Sequence, residues 1–131
     1  VTTNITTAFT TTSTSFTAAS GFSVAITPSA TSSKVLISVN TTCQNSAAND
    51  KTNITVAKGT SVLQANGFGF HSQGDGGDNT FFSSAQSFNY LDSPSTTSST
   101  TYGVYFFGET GTASINYNNS VGVITAMEIG A

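Results

Sequence analysis

Short runs of alternating apolar and polar residues recur along this chain, and helical periodicity is nearly absent. In the run Phe22–Ile26, Phe22, Val24 and Ile26 share one side while Ser23 and Ala25 share the other. A shorter run, Ser15–Ala18, precedes it across Ser20-Gly21, and the hydroxyl-rich Thr27–Ser33 follows as a loop. Lys34–Asn40 alternates most strongly, with Val35, Ile37 and Val39 on one side. Leu36 lies on the opposite side, which predicts partial cover there too. Thr41–Lys51 reads as a polar loop and Asn53–Lys58 as a strand with Ile54 and Val56 inward. Ser61–Gln64 is its expected hairpin partner across Lys58-Gly59-Thr60.

Thr80–Leu91 is the longest strand candidate. Phe82, Phe88 and Tyr90 have one parity, and Phe81, Ala85 and Leu91 the other, which predicts a strand buried on both sides or one switched by a bulge. A Ser/Thr/Pro connector leads to Tyr102–Phe107, and Ala113–Tyr117 and Val121–Ile129 complete the pattern. About nine short strands spaced by roughly ten residues predict an all-β, antiparallel β-sandwich, a jelly roll of about eight to ten strands. The Thr-rich first twelve residues are expected to be a linker or edge segment continuing from an upstream region, with the sandwich occupying 13–131.

Charge changes the picture more than length does. Only 7% of the residues are charged, none is Arg, and Ser and Thr make up about a third of the chain, so hydroxyls and amides must meet most of the water. Ten Phe and four Tyr, with a net charge of −3, argue against disorder. Three Lys without Arg give no electrostatic footprint for nucleic acid. No apolar run approaches the roughly 20 residues of a membrane span, so no membrane insertion is expected. The first residues show neither a basic region nor an apolar stretch, so no signal peptide is expected. Sheet edges are normally guarded by Lys, other charges or Pro, which are scarce here. The edges are therefore expected to be very short, closed on themselves, or covered by neighbouring subunits in an obligate oligomer.

Candidate chemistry is sparse. Cys43 excludes an intrachain disulfide and has no cationic neighbour in sequence, so it reads as a small structural residue. A single His, His71, offers no nucleophile–base pair, and there is no G-x-S-x-G elbow. His71, Asp75, Asp78 and Asn79 carry ligand atoms, but from Asp75 onward Gly77 stands where a Ca²⁺ loop needs a ligand and Thr80 where it needs Gly. The stretch His71–Asn79 is read as a protruding Gly/Asp loop without metal, and no cofactor is expected. Sequons at Asn4, Asn40, Asn53 and Asn118 are about as many as chance supplies in so hydroxyl-rich a chain.

Three segments carry a family resemblance. FTAASGFSVAITPSATSSKVLISV (Phe16–Val39) resembles the opening of domains in tail fibres and virion appendages of marine bacteriophages, cyanophages among them. LDSPSTTSSTTYGVY (Leu91–Tyr105) is similar to their middle signature, and VITAMEI (Val123–Ile129) to their closing strand. The resemblance implies a jelly roll similar to tumour-necrosis-factor-like trimers at the end of a fibre, in a virion assembled in the host cytoplasm. It implies other virion proteins as partners, and a host-surface glycan or protein as a possible receptor. Apolar alternation at the chain end assigns Val121, Val123, Met127 and Ile129 to the trimer interface. The unmatched Gly/Asp stretch supplies the receptor-contact candidates His71, Gln73, Asp75, Asp78 and Asn79. The expected function is non-enzymatic fibre structure and adhesion; the alternatives are decoration without a receptor and, third, a polysaccharide-degrading tip.

Overall fold

The computed structural model describes residues 1–47, 50–64, 69, 71–74 and 83–130, with 71–74 described as backbone. Eleven strands lie within these residues: β1 (Thr2–Ile5), β2 (Phe9–Thr11), β3 (Thr17–Ile26), β4 (Lys34–Asn45), β5 (Lys51–Lys58), β6 (Ser61–Val62), β7 (His71–Gly74), β8 (Ser84–Asp92), β9 (Thr100–Gly108), β10 (Ala113–Ile115) and β11 (Gly122–Ile129). One short 3-10 turn, Tyr117–Asn119, separates β10 from β11. Every pairing is antiparallel.

Three of the strand positions are interrupted. β1 and β2 follow one edge, pairing with β11 and β10, and those two in turn share one side of β4. β6 and β7 share one side of β5 in the same way. The first sheet then runs β1/β2, β11/β10, β4, β8, and the second runs β3, β9, β5, β6/β7. Counting each interrupted strand once gives eight positions in the orders 1-8-3-6 and 2-7-4-5. Successive strands cross between the sheets except at the β5–β6 hairpin, which is the winding of a jelly roll. The expected all-β antiparallel sandwich is what the chain forms.

Period-two alternation builds the core. Val35, Ile37, Val39 and Cys43 of β4 face Phe22 and Val24 of β3, Ile54 and Val56 of β5, and Val104 and Phe106 of β9, all buried. Each such side chain contributes about 1.5–3 kcal/mol. Phe9 of β2 stacks on Phe22 at 6.2 Å, so the N-terminal strands close the core. β1 and β2, in the stretch expected to be a linker or an edge, are edge strands of the first sheet.

Several expected boundaries are corrected. β4 continues to Asn45 through the stretch read as a loop, because buried polar groups there find distant partners. Thr41 Oγ1 donates to Asn116 Oδ1 at 2.6 Å, and Asn45 Nδ2 donates to the carbonyls of Lys51 and Thr110 at 3.0 and 3.2 Å. Ser15–Ala18 and Phe22–Ile26 belong largely to one strand, β3, whose register shifts between Ala18 and Ser23 around Gly21, at φ 90. β8 pairs with β4 over nine positions without a shift, and Leu91 is exposed, so it is neither bulged nor buried on both sides. Phe81 and Phe82 lie outside the described residues. His71–Gly74 is a strand paired with β5, so the expected Gly/Asp loop begins later than His71. Edge positions tolerate Gly74, and pairing with β5 supplies what local composition lacks.

Two polar knots fasten the sandwich, one at the break between β10 and β11 and one between the sheets. Asn116 is fully buried in the left-handed region (φ 52); its Nδ2 donates to the Thr7 carbonyl at 3.2 Å and its N–H to the Thr42 carbonyl at 2.9 Å. A Cβ at Gly122 would run into this carboxamide, which is why β11 starts with Gly. At one end of the sandwich, the carboxylate of Asp92 on β8 accepts from Lys58 Nζ on β5 at 3.0 and 3.3 Å and from Tyr102 OH on β9 at 2.7 Å. This clasp joins the two sheets. Burial, with the bond to Asp92 second, pushes the Tyr102 phenol well above its ordinary range, so it remains a donor.

Asp92→Ala leaves the buried Tyr102 hydroxyl and a Lys58 side chain 34% exposed without their acceptor. The expected cost is about 2–4 kcal/mol, read as a lower urea midpoint at unchanged slope. An unchanged midpoint would show that the clasp is not structural.

Candidate functional site

The two outer faces of the sandwich differ. On the second sheet, the outward-facing Asn53, Thr55 and Ala57 of β5 and Phe107 of β9 are buried. The chain itself contributes that cover: Phe16 meets Phe107 edge-on at 4.8 Å, Thr55 Oγ1 donates to the Gln64 carbonyl at 3.0 Å, and Gly69 lies directly against the Ile54 carbonyl. On the first sheet Gln44 and Ser114 are buried at the β4–β10 end, but from Lys34 to Thr42 of β4, and on the strands beside it, the outer side chains are half-buried or exposed.

Register arranges those side chains in rows. Met127, Leu36 and Leu91 stand opposite one another across β11, β4 and β8. The next row is Thr2, Thr125, Ser38 and Asn89, and the third is Asn4, Val123, Asn40 and Ser87. Thr42 pairs with Ala85 in the fourth, beside Val121. Ile129, opposite Lys34, lies beyond the first row. Cross-strand neighbours of this kind sit about 4.5–5.5 Å apart, so Met127, Leu36 and Leu91 form one apolar strip.

Met127, Leu91, Val121 and Ile129 are 53%, 49%, 59% and 40% exposed. All four belong to this face, and the only other large apolar side chain as exposed among the described residues is Val1, at its margin. Lys34 at the end of β4 is the single charge along these rows. The other charges among the described residues point elsewhere. Lys58 and Asp92 are engaged inside the clasp, Lys51 lies 3.9 Å from Glu109, and Glu128 accepts from Ser29 N and Oγ at 2.7 and 2.6 Å. A shallow hollow of about 220 Å³ lies at the far end of the face, between Asn40, Thr42, Ala85, Ser87 and Val121.

The four interface residues expected from sequence, Val121, Val123, Met127 and Ile129, all fall on this face, as their shared parity requires. Leu36 and Leu91 join them although sequence alone did not name them as interface residues. Leu36 carried a signal, because it breaks the polar side of an otherwise alternating run. Leu91 became legible only once β8 was registered against β4. His71 and Gln73 fall in β7, in the other sheet, and are not brought to this face. Asp75, Asp78 and Asn79 lie outside the described residues.

Among the described residues no three His, Cys, Asp or Glu side chains converge as metal ligands. Cys43 is fully buried in the core, and burial pushes its thiol well above the usual range, so it lacks thiolate character at neutral pH. The face offers apolar contact and uncharged hydrogen bonding, which suits binding to another surface.

No family model matches the chain, and no curated protein matches it. Among solved structures, a chain in the structure of infectious bursal disease virus Gx strain aligns with 100% of this chain and 37% of its own length, at 12% identity and a TM-score of 0.46. A chain of the Gt strain structure aligns with 100% of this chain and 38% of its own, at 12% identity and a TM-score of 0.40. This chain thus spans well under half the length of either.

Two outcomes follow. Cys43 should resist a thiol reagent in the folded protein and react fully after denaturation; fast labelling of the native protein would contradict its burial. For Glu128, the bonds from Ser29 hold the carboxyl below its ordinary 4.5. A depressed folded value stabilises above the unfolded value and is lost as pH falls through the folded one. The difference in urea midpoint between the native chain and Glu128→Gln should therefore shrink between about pH 7 and about pH 3. A difference that stays constant would remove the Ser29–Glu128 link.

Proposed function

We propose that this chain is a non-enzymatic structural domain of a virion fibre that works as a homotrimer, with the outer face of the first sheet as its subunit interface. One observation carries the reading: the outer face of the second sheet is covered over β5 and Phe107 by the chain's own residues, while that of the first presents an apolar row beside uncharged polar rows. Interface cores are poor in charge and rich in residues such as Met, and exposed apolar patches on small domains mark binding surfaces. The virion assignment rests on the segments that resemble phage fibre domains. These contribute β3, the first half of β4, most of β9 and nearly all of β11, which pair β3 with β9 and β4 with β11. In this reading Asp75, Asp78 and Asn79, which follow β7 in the sequence, supply the contact with a host-surface glycan or protein.

Mass measurement in native buffer should give three copies per particle. Met127→Lys combined with Leu91→Lys should leave a folded monomer, each change weakening association by about 2 kcal/mol, roughly thirtyfold. A monomeric native chain would refute the assembly reading. Binding to host cells should saturate and be lost when residues 75–79 are replaced by a Gly/Ser linker. Absence of cell binding together with a symmetric position on the particle would support decoration, and release of sugar ends would support a depolymerase.

A further inference from the structure

β4 changes neighbours part-way along. β11 pairs with it as far as Val123, opposite Asn40, and β10 takes over at Ile115, opposite Cys43. Between these strands the chain leaves the sheet through Asn116 and the turn Tyr117–Asn119, and returns at Val121. On the core side the gap is plugged, because buried Asn116 accepts from Thr41 Oγ1 at 2.6 Å and donates to the Thr7 carbonyl at 3.2 Å. On the outer side it stays open as the hollow of about 220 Å³, between Asn40 and Thr42 of β4, Ala85 and Ser87 of β8, and Val121. Its walls are fixed. The Thr42 carbonyl accepts from Asn116 N–H at 2.9 Å, and Thr42 Oγ1 lies 2.5 Å from Ser120 Oγ. Ser87 and Ala85 are held in unbroken register opposite Asn40 and Thr42. The hollow is therefore built by the strand break, and the small side chain of Ala85 gives it depth.

We infer that this hollow binds a neutral hexose, one ring of a glycan, at a site separate from residues 75–79 and independent of the contact between copies. Size limits the ligand. The hollow is smaller than the roughly 300–1,000 Å³ of sites for drug-sized molecules, so it admits a single ring. Polarity selects a sugar. A pyranose has an aliphatic C–H face and a rim of hydroxyls. Val121, 59% exposed, and Ala85 offer methyl groups to the first. Asn40 and Ser87, both exposed in one row, offer hydrogen bonds to the second. The Asn40 carboxamide sets a donor beside an acceptor, which suits two adjacent hydroxyls that each donate and accept. The hydroxyls of Thr42 and Ser120 use one proton between them, so the other is left to donate. Charge excludes acidic sugars. No charged side chain lines the hollow, so the carboxylate of a uronic or sialic acid would lose water and meet no cation. Lys34 is the single charge along the rows, and it lies eight residues from Thr42 on β4, about 26 Å away. Leu36 of the apolar strip lies about 20 Å from Thr42 along the same strand, so copies that close on the strip leave the hollow at the rim of the face.

Titration of the isotopically labelled full chain with the methyl glycosides of glucose, galactose and mannose, followed by backbone amide NMR, tests the site. At least one of the three should move the amide signals of Thr42, Ala85 and Val121 saturably, with a Kd of about 1–10 mM, the range of a one-ring ligand. The methyl glycoside of glucuronic acid should move none of them. Ala85→Leu fills the hollow from an exposed position and should abolish the shifts, while Asn40→Ala should weaken binding about fivefold. Unmoved signals from the buried Ile54 and Val104 show that each variant is folded. The Met127→Lys, Leu91→Lys chain and the chain with residues 75–79 replaced should both bind with the native Kd. Shifts at the hollow in a protein that is monomeric by native mass would refute the assembly and leave this site standing. No shift with any of the three glycosides at about 100 mM, shifts mapped elsewhere on the chain, or binding insensitive to Ala85→Leu would overturn it. Binding seen only in the Met127→Lys, Leu91→Lys chain would overturn it too, because the assembled protein would then cover the hollow.

Discussion

Everything on this domain is hung from the two-residue period of β4. Its odd-numbered residues Val35, Ile37, Val39 and Cys43 fill the core, and its even-numbered residues Leu36, Ser38, Asn40 and Thr42 form the centre of the outer face. β8 is registered against it on one side and β11 and β10 on the other. A slip of one residue would expose four core side chains and bury the polar band. Core formation and the layout of the outer face are therefore set by the same register, and neither can change without the other.

The rest of the sandwich protects that register with few charges. Edges are interrupted at β1/β2 and at β6/β7, and β3 carries an irregularity at Gly21; short or bulged edges resist unwanted pairing. Buried amides and hydroxyls do the fastening that ion pairs do elsewhere. Asn116 ties Thr7 to Thr41 and Thr42 across the break between β10 and β11. At the last residue of β4, Asn45 binds the carbonyls of Lys51 and Thr110, while the carboxylate of Asp50 accepts from Lys51 N and Thr110 Oγ1, both at 2.7 Å. With charge among the described residues confined to the clasp, the loops and the strand ends, the open face is free to be neutral, and a neutral face is one that identical copies can share.

Local pattern made the sandwich legible because strands such as Lys34–Asn40 and Val121–Ile129 alternate cleanly. It failed where tertiary partners decide. Thr41, Gln44 and Asn45 look like a loop, yet they extend β4 because Asn116, Thr52 and Thr110 satisfy them from 75, 8 and 65 residues away. His71–Gly74 has weak strand composition and is held by β5. The outer face was half visible. Parity alone grouped Val121, Val123, Met127 and Ile129, while Leu91 needed the β4–β8 register to show which side it occupies. The aromatic residues on both parities upstream of Leu91 pulled the reading toward a buried strand, and the strand begins only at Ser84.

Met127 is the chain's single methionine, and it sits at the head of the apolar row, 53% exposed in an isolated copy. Its oxidation by dilute hydrogen peroxide, followed by intact mass, reports directly whether this face is covered in solution. The account predicts that Met127 in the assembled protein oxidises at least tenfold more slowly than in the folded Leu36→Lys, Leu91→Lys variant, a rate ratio that would correspond to about 1.4 kcal/mol. Equal oxidation rates in the two proteins would mean that the face is open to solvent and that its apolar row covers nothing.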